Sequence, residues 1–237
     1  MSSPVRVALV AEGPTDGIVI EAALNAIFGE TPFILTQLQP EGSLAFGALG
    51  GGWCGVYRWC KQSAARGGGR LSDDEILFLT YDLLCLHLDA DVSGKHYSDC
   101  SINPGLEDEK LPCERPCPPA SASSDKLREV LVSWCGETTI PDRTVVCMPS
   151  KNMETWVLAA VFPEDQAVGE EIECLLDPEA RFSQQPKRMR IKKSQVDYRN
   201  RAPVITSAWS RVAQVDTCGE AVRFDVDVRA AMIGRTP

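Results

Sequence analysis

An α/β fold, a largely parallel open sheet with helices on both faces, is the class this sequence predicts. Two observations lead there. Short apolar runs end abruptly in acids: Val7-Ala8-Leu9-Val10-Ala11 runs into Glu12-Gly13-Pro14-Thr15-Asp16, and Leu83-Leu84-Cys85-Leu86-His87-Leu88 runs into Asp89-Ala90-Asp91. Runs of this kind alternate with stretches of helical spacing in the order β, α, β, then β, α, β, α, and strands separated by helices pair in parallel. The 237 residues suffice for one main core with an appendage. A hydrophobic fraction of 44% and a charged fraction of 24% are ordinary for a globular chain.

The elements follow in chain order. After the first strand, Thr15 or Asp16 caps a helix reaching Phe28, with Ile18, Ala22, Ile27 and Phe28 on one broad apolar face. Phe33 to Leu38 reads as a second strand. The glycine-rich stretch from Gly47 to Gly55 lacks the Gly-Lys-Ser/Thr ending of a phosphate-binding loop, so it reads as a connection and speaks against ATP hydrolysis by this chain. Val56 to Ala65 predicts a short helix, which Gly67-Gly68-Gly69 breaks. Ile76 to Asp89 leads into the acidic strand. From Val92 to Ser124 the chain is rich in proline, cysteine and small polar residues, an insertion held by something other than a large core. Leu127, Val130, Leu131 and Trp134 then recur at helical spacing behind Ser124 or Asp125 as N-cap. Thr144 to Met148 is a further strand and Asn152 to Phe162 a helix. Beyond Pro163 lie a basic segment and a helix beginning near Pro203. The expected organisation is one domain over residues 1–162, interrupted by the insertion at 92–124, with a C-terminal extension over 163–237 packed on its core.

In an open α/β sheet, ligands bind beyond the carboxyl ends of the strands. Glu12, Asp16, Asp89 and Asp91 gathered there would repel one another unless a hard cation such as Mg2+ or Mn2+ neutralised them. Glu154, on the first turn of the helix after the Thr144 strand, can project toward the same edge, although an acid there also complements a helix dipole. Lys151 or Lys95 could steady a phosphate. Asp16 could be a helix cap alone, Asp91 the start of a turn, and Trp156 is read as a core anchor.

These residues resemble the Toprim domain, the acidic α/β module of topoisomerases, primases and OLD-type nucleases. The resemblance rests on the strand-ending Glu12-Gly13 with Asp16 behind it, on the later strand-ending Asp89-Ala90-Asp91, and on the order of the two. It covers roughly the first 160 residues. The compact form, with its insertion and its late Glu154-Thr155-Trp156 helix, is similar to small stand-alone Toprim-like proteins found beside ATPases in bacterial defence loci. The resemblance implies that Glu12, Asp16, Asp89 and Asp91 bind one or two Mg2+ or Mn2+ ions for phosphodiester chemistry, and Glu154, by its position, would complete a second metal shell. It also implies an ATPase partner, a role in antiviral defence, and nucleic acid as substrate, DNA ahead of RNA. Topoisomerase activity needs a tyrosine on further domains that 237 residues scarcely accommodate.

A second site is expected in the insertion. His96, Cys100, Cys113 and Cys117 have a spacing close to that of a structural Zn2+ set, with free thiols as the alternative. The ten cysteines are otherwise read as reduced, with Cys85 and Cys147 in the core. Lys187, Arg188, Arg190, Lys192, Lys193, Arg199 and Arg201 crowd one segment in a chain whose formal net charge is −9. They are a nucleic-acid-binding candidate or a solvated face. No apolar stretch approaches the roughly 18 residues needed to cross a bilayer. The first residues lack the order of a secretory signal, so a cytoplasmic location is expected. With only His87 and His96, and no Gly-x-Ser-x-Gly elbow, His-dependent and serine hydrolases are disfavoured; His87 reads as a buried core histidine. Two readings compete with a nuclease: a non-catalytic binding subunit, and a phosphatase using an Asp-x-Asp nucleophile.

Overall fold

The computed structural model describes residues 3–41, 49–102, 110–111, 113–169, 172–214 and 218–233. Strand β1, Val5–Val10, leads into helix α1, Pro14–Phe28, and strand β2, Phe33–Gln39. Helices α2, Gly52–Arg66, and α3, Glu75–Thr80, precede strand β3, Leu83–His87. Helix α4, Ser121–Trp134, strand β4, Thr144–Cys147, and helix α5, Glu154–Val161, follow. Helices α6, Pro178–Gln184, α7, Gln195–Val212, and α8, Gly219–Ile233, complete the chain.

All strand pairs are parallel and the sheet order is β2-β1-β3-β4. Chain direction across the sheet therefore reverses between β1 and β3, and such a switch point opens a crevice at the carboxyl ends of the two strands. The four residues of β4 and all five of β3 are buried, as expected for strands covered on both faces.

Alternating side chains feed two cores. Val7, Leu9, Leu83, Cys85, Val145 and Cys147 face one layer with α1, α5, α7 and α8. Ala8, Val10, Leu84, Leu86 and Val146 face the other with α2, α3 and α4. The C-terminal residues belong to the first layer: Tyr198, Ile205, Trp209 and Phe224 share it with Trp156, whose ring meets Trp209 edge-on at 5.5 Å. Helix α1 is covered on one side by the sheet and on the other by α7, tied by Thr206 Oγ1 donating to the Ala22 carbonyl at 2.9 Å. At Gly17 a Cβ would meet Gln37 Oε1 at 2.7 Å and Leu9 Cδ2 at 3.4 Å, so a hydrogen there lets α1 lie close to the sheet.

Several boundaries differ from expectation for local reasons. Helix α2 begins at Gly52, so Gly52 to Gly55 of the glycine-rich stretch form its first turn, and the Gly52 N–H donates to the Glu12 carbonyl at 2.9 Å. Helix α4 begins at Ser121, ahead of the expected caps. Helix α7 starts eight residues before Pro203, because Ser194 Oγ caps it by accepting from the Asp197 N–H at 3.2 Å and the proline is carried inside. A short helix, α3, occupies what read as the approach to β3.

The insertion is held differently from the zinc expectation, which the structure revises. Cys100 is bonded to Cys54 and Cys117 to Cys174, with Cα separations of 5.3 and 5.6 Å. Neither sulfur can then be a thiolate ligand, and His96, Cys100, Cys113 and Cys117 do not form a set. The expectation that all ten cysteines are reduced is revised with it: six are free and buried, Cys113 among them. Aromatic packing adds to the hold. Tyr97 and Leu111 are buried beside Trp53 and Trp134, and Trp134 Nε1 donates to Tyr97 Oη at 2.9 Å. Residues 103–109 and 112 of this segment lie outside the described residues.

Behind β4 lies a buried polar knot. Arg128 on α4 pairs with Glu220 on α8 at 3.1 Å and donates to the Val146 carbonyl at 3.1 Å, while Ser124 Oγ donates to Glu220 at 2.6 Å. Glu173 accepts from the Glu220 N–H at 3.1 Å, and burial pushes its carboxyl up to about 7. Unfolded, the same carboxyl ionises near 4.3. Between those values the native chain holds a proton that the unfolded chain has released, so this group makes stability fall as pH rises from about 4 to 7. Glu173→Gln is expected to flatten that fall, gaining up to about 3–4 kcal/mol over wild type above pH 7. Urea midpoints at pH 5 and 8 check it; a variant that falls as steeply as wild type would assign the slope to other carboxyls.

Candidate metal centre

The two ends of the switch point carry the acids. Glu12 follows β1, and its Oε1 accepts the backbone N–H of Asp89 at 2.8 Å, joining the turn after β1 to the turn after β3. Asp16, at the third position of α1, accepts the Gly13 N–H through Oδ2 at 2.8 Å and is buried. It is thus a cap and also a member of the crevice. Beyond β3 and β4 the two chains run on together: the Leu88, Ala90 and Asp91 N–H groups donate to the carbonyls of Cys147, Pro149 and Lys151 at 3.2, 3.0 and 2.9 Å. That continued pairing sets the Asp89-Ala90-Asp91 turn beside the start of α5, where Glu154 is fully buried.

Their fields overlap. Burial, then the charge of Asp89, hold the Glu12 carboxyl well above the usual carboxylate range. Burial raises Asp89 in the same way, with Asp16, Glu154 and Asp91 adding to it and Lys193 opposing. Asp91, on the exposed side, is raised by burial against the fields of Lys95, Lys193 and Lys151. The fields meet at Asp89, which raises Glu12 and is itself raised by Asp16, Glu154 and Asp91. Lys151 contributes its carbonyl to Asp91 and its charge from nearby.

Four of the five carboxylates share a pattern. One oxygen of each is held: Glu12 by the Asp89 N–H, Asp16 by the Gly13 N–H, Asp89 by His87 Nε2 at 3.2 Å, and Glu154 Oε1 by Tyr198 Oη at 2.7 Å. Among the described residues the second oxygen of each makes no hydrogen bond, and that of Glu154 is buried. A carboxylate oxygen buried without a donor is costly, and a hard cation is the partner that suits it. Among the described residues, no three His, Cys, Asp or Glu side chains stand close enough to chelate an ion.

Two residues of the centre had no local signal. Tyr198, on α7, is buried with its hydroxyl on Glu154, and burial and then the Glu154 charge raise its ionisation far above that of a free phenol. Lys193 was read as one of a basic group, yet its ammonium lies 3.1 Å from Glu154 Oε1 and 2.7 Å from Glu179 Oε1. Burial alone would lower its pKa, but the hydrogen bond to Glu179 and the charge of Glu154 prevail and raise it. His87 is buried in its strand as expected, with Nε2 on Asp89, but among the described residues its Nδ1 has no hydrogen bond, so it is not the fully satisfied core histidine expected.

The rest of the basic group stays outside. Lys187, Arg188, Arg190 and Lys192 are exposed in the connection between α6 and α7, where Arg190 Nε donates to the Gln185 carbonyl at 3.0 Å. That connection runs on through Lys193 to the start of α7. Trp156 is buried in the first core layer, not offered to a base. Among the described residues no helix is long and apolar enough to cross a membrane. No protein-family model, curated protein or solved structure matches the chain.

Proposed function

We propose that this chain is a divalent-metal-dependent nuclease, or the nuclease subunit of a larger complex, of the Toprim type that its motifs resemble. The observation that carries the reading is the set of four carboxylates at the switch point, each with one oxygen held by the protein and the other left without a hydrogen bond. Glu12, Asp16, Asp89 and Glu154 would hold Mg2+ or Mn2+, with Asp91 at the rim. When bound, such an ion supplies Lewis-acid activation of water and neutralises the departing oxygen. The protein's own part is to hold and orient. Asp89 is fixed by His87 and Glu154 by Tyr198, while Lys193, Lys151 and Lys95 put positive charge where a phosphodiester would sit. Water adds at phosphorus, the bond to the leaving oxygen breaks, and a phosphomonoester and a hydroxyl end result.

DNA is the preferred substrate in this reading, RNA the second. An ATPase partner and a place in antiviral defence come from the resemblance alone, and a cytoplasmic location from the order of the first residues. The phosphatase alternative is less favoured, because Asp89 shares its crevice with Glu12 and Glu154 rather than standing as a lone nucleophile.

The test is cleavage by purified chain, with and without its genomic neighbour, of single- and double-stranded DNA and RNA in Mg2+ or Mn2+. Metal-dependent cutting supports the enzyme; binding without cutting selects the non-catalytic subunit. A variant with Lys187, Arg188, Arg190 and Lys192 neutralised is expected to bind more weakly with a flatter salt dependence, since each lost phosphate contact releases about one fewer counterion. Cleavage at saturating substrate should survive, because the acids are untouched. An unchanged salt slope would make this loop a solvated face.

A further inference from the structure

Two of the free, buried cysteines meet. The Cys60 thiol, on α2, donates a hydrogen bond to the sulfur of Cys135, which follows α4, and both side chains lie in the core layer of α2, α3 and α4. Other free cysteines are kept apart by the fold. Cys85 stands opposite Val145 in the sheet register, which puts Cys147 two residues further along β4, about 8 Å away between Cα atoms and beyond bridging reach. Cys113 and Cys218 belong to different core layers.

The backbone around Cys60 and Cys135 is pinned from several sides. The Leu71 N–H donates to the Cys135 carbonyl at 2.9 Å, and the Glu137 carboxylate takes the Ser72 N–H and Arg70 Nη2, each at 2.8 Å. At Gly136, whose φ is 71°, a Cβ would collide with the Gly69 carbonyl. The turn after α2 and the end of α4 are thus locked against each other with the two thiols between them. Hydrogen-bonded sulfurs have to close by about 1.5–2 Å to bond, a movement of the size that side-chain torsions supply.

We propose that Cys60 and Cys135 are an oxidation site, at which a small disulfide such as oxidised glutathione converts the pair into a third cystine that bonds α2 to the end of α4. The step is two exchanges. One cysteine thiolate attacks the small disulfide, forming a mixed disulfide and expelling a thiolate. The other cysteine thiolate then attacks the protein sulfur of that mixed bond and expels the second. The protein pair gives up two electrons, the small disulfide takes them, and the two protons end on the released thiols. The hydrogen bond to Cys135 and then burial push the Cys60 thiol well above its ordinary range, so the pair is a poor nucleophile once enclosed and the exchanges run while the chain folds. Cys54–Cys100 already ties α2 to the insertion, and this bond would hold the same helix at a second point. The site is independent of the metal-centre reading.

The experiment maps thiols. Reduced, unfolded chain is refolded in a mixture of reduced and oxidised glutathione, denatured in N-ethylmaleimide to block every remaining thiol, and digested without reduction for mass spectrometry. A peptide pair joined through Cys60 and Cys135 is expected, with the maleimide confined to Cys85, Cys113, Cys147 and Cys218. Maleimide on Cys60 and Cys135, whichever other bonds have closed, would overturn the proposal, and so would either of them joined to a different cysteine. If the chain does not refold, the same map of protein folded in an oxidising host compartment decides.

Discussion

Replacing Asp89 and Asp91 together with asparagine is expected to lower metal-dependent cleavage at least about a thousandfold, a barrier increase of about 4 kcal/mol. The substitution keeps the shape of both side chains and leaves an acceptor for His87, so the fold should persist. Without metal it should be more stable than wild type at neutral pH. Asp89 is held above its unfolded pKa by burial and by Asp16, Glu154 and Asp91, so the native chain carries the extra proton and loses stability as pH rises past the unfolded value; an uncharged amide escapes that loss. Alanine at position 89 should behave worse than asparagine. It strips the buried His87 of its partner, which costs about 1–3 kcal/mol, and His87 Nδ1 already makes no hydrogen bond among the described residues. Initial rates on a nucleic-acid substrate and thermal midpoints without metal decide the matter. Wild-type cleavage by the double variant would mean that the acids at the switch point are not the centre.

The largest stability loss is expected from Arg128→Ala. It removes the partner of the buried Glu220 and the donor to the Val146 carbonyl of β4, and breaking a buried pair from one side costs about 3–5 kcal/mol. Combining Arg128→Met with Glu220→Leu should recover a large part of that loss, because no charge is then stranded. Chemical denaturation of the single and double variants measures the coupling. A single variant within about 0.5 kcal/mol of wild type would show the pair to be solvated in solution. The same change also bears on the crevice, since Val146 lies in the strand whose continuation carries the turn to Glu154.

What could be read from residue order was whatever a strand or helix writes locally. The apolar runs ending at Glu12 and Asp89 announced parallel strands and the edge where acids would meet, and the helical spacing around Leu127 announced α4. What could not be read depended on contacts between distant residues. Tyr198 meets Glu154 only because α7 folds back across α5, and nothing near Tyr198 marks it as different from a core tyrosine. Lys193 looked like its basic neighbours because charge composition does not say which side chain meets an acid from a distant helix. Cys54 and Cys174 carried no spacing that would pair them with Cys100 and Cys117, so the insertion's cysteines suggested a metal. The start of α7 was hidden by Pro203, which reads as a beginning when it is in fact carried within the helix.

The bond between Cys117 and Cys174 closes a covalent ring around α4, β4 and α5. Glu154 lies on that ring, whereas Lys193 and Tyr198 lie on the chain that leaves it. A protease cutting the turn between α4 and β4 would therefore free no fragment: Glu12, Glu154 and Lys193 would stay on one molecule, and the cut would become visible only after reduction.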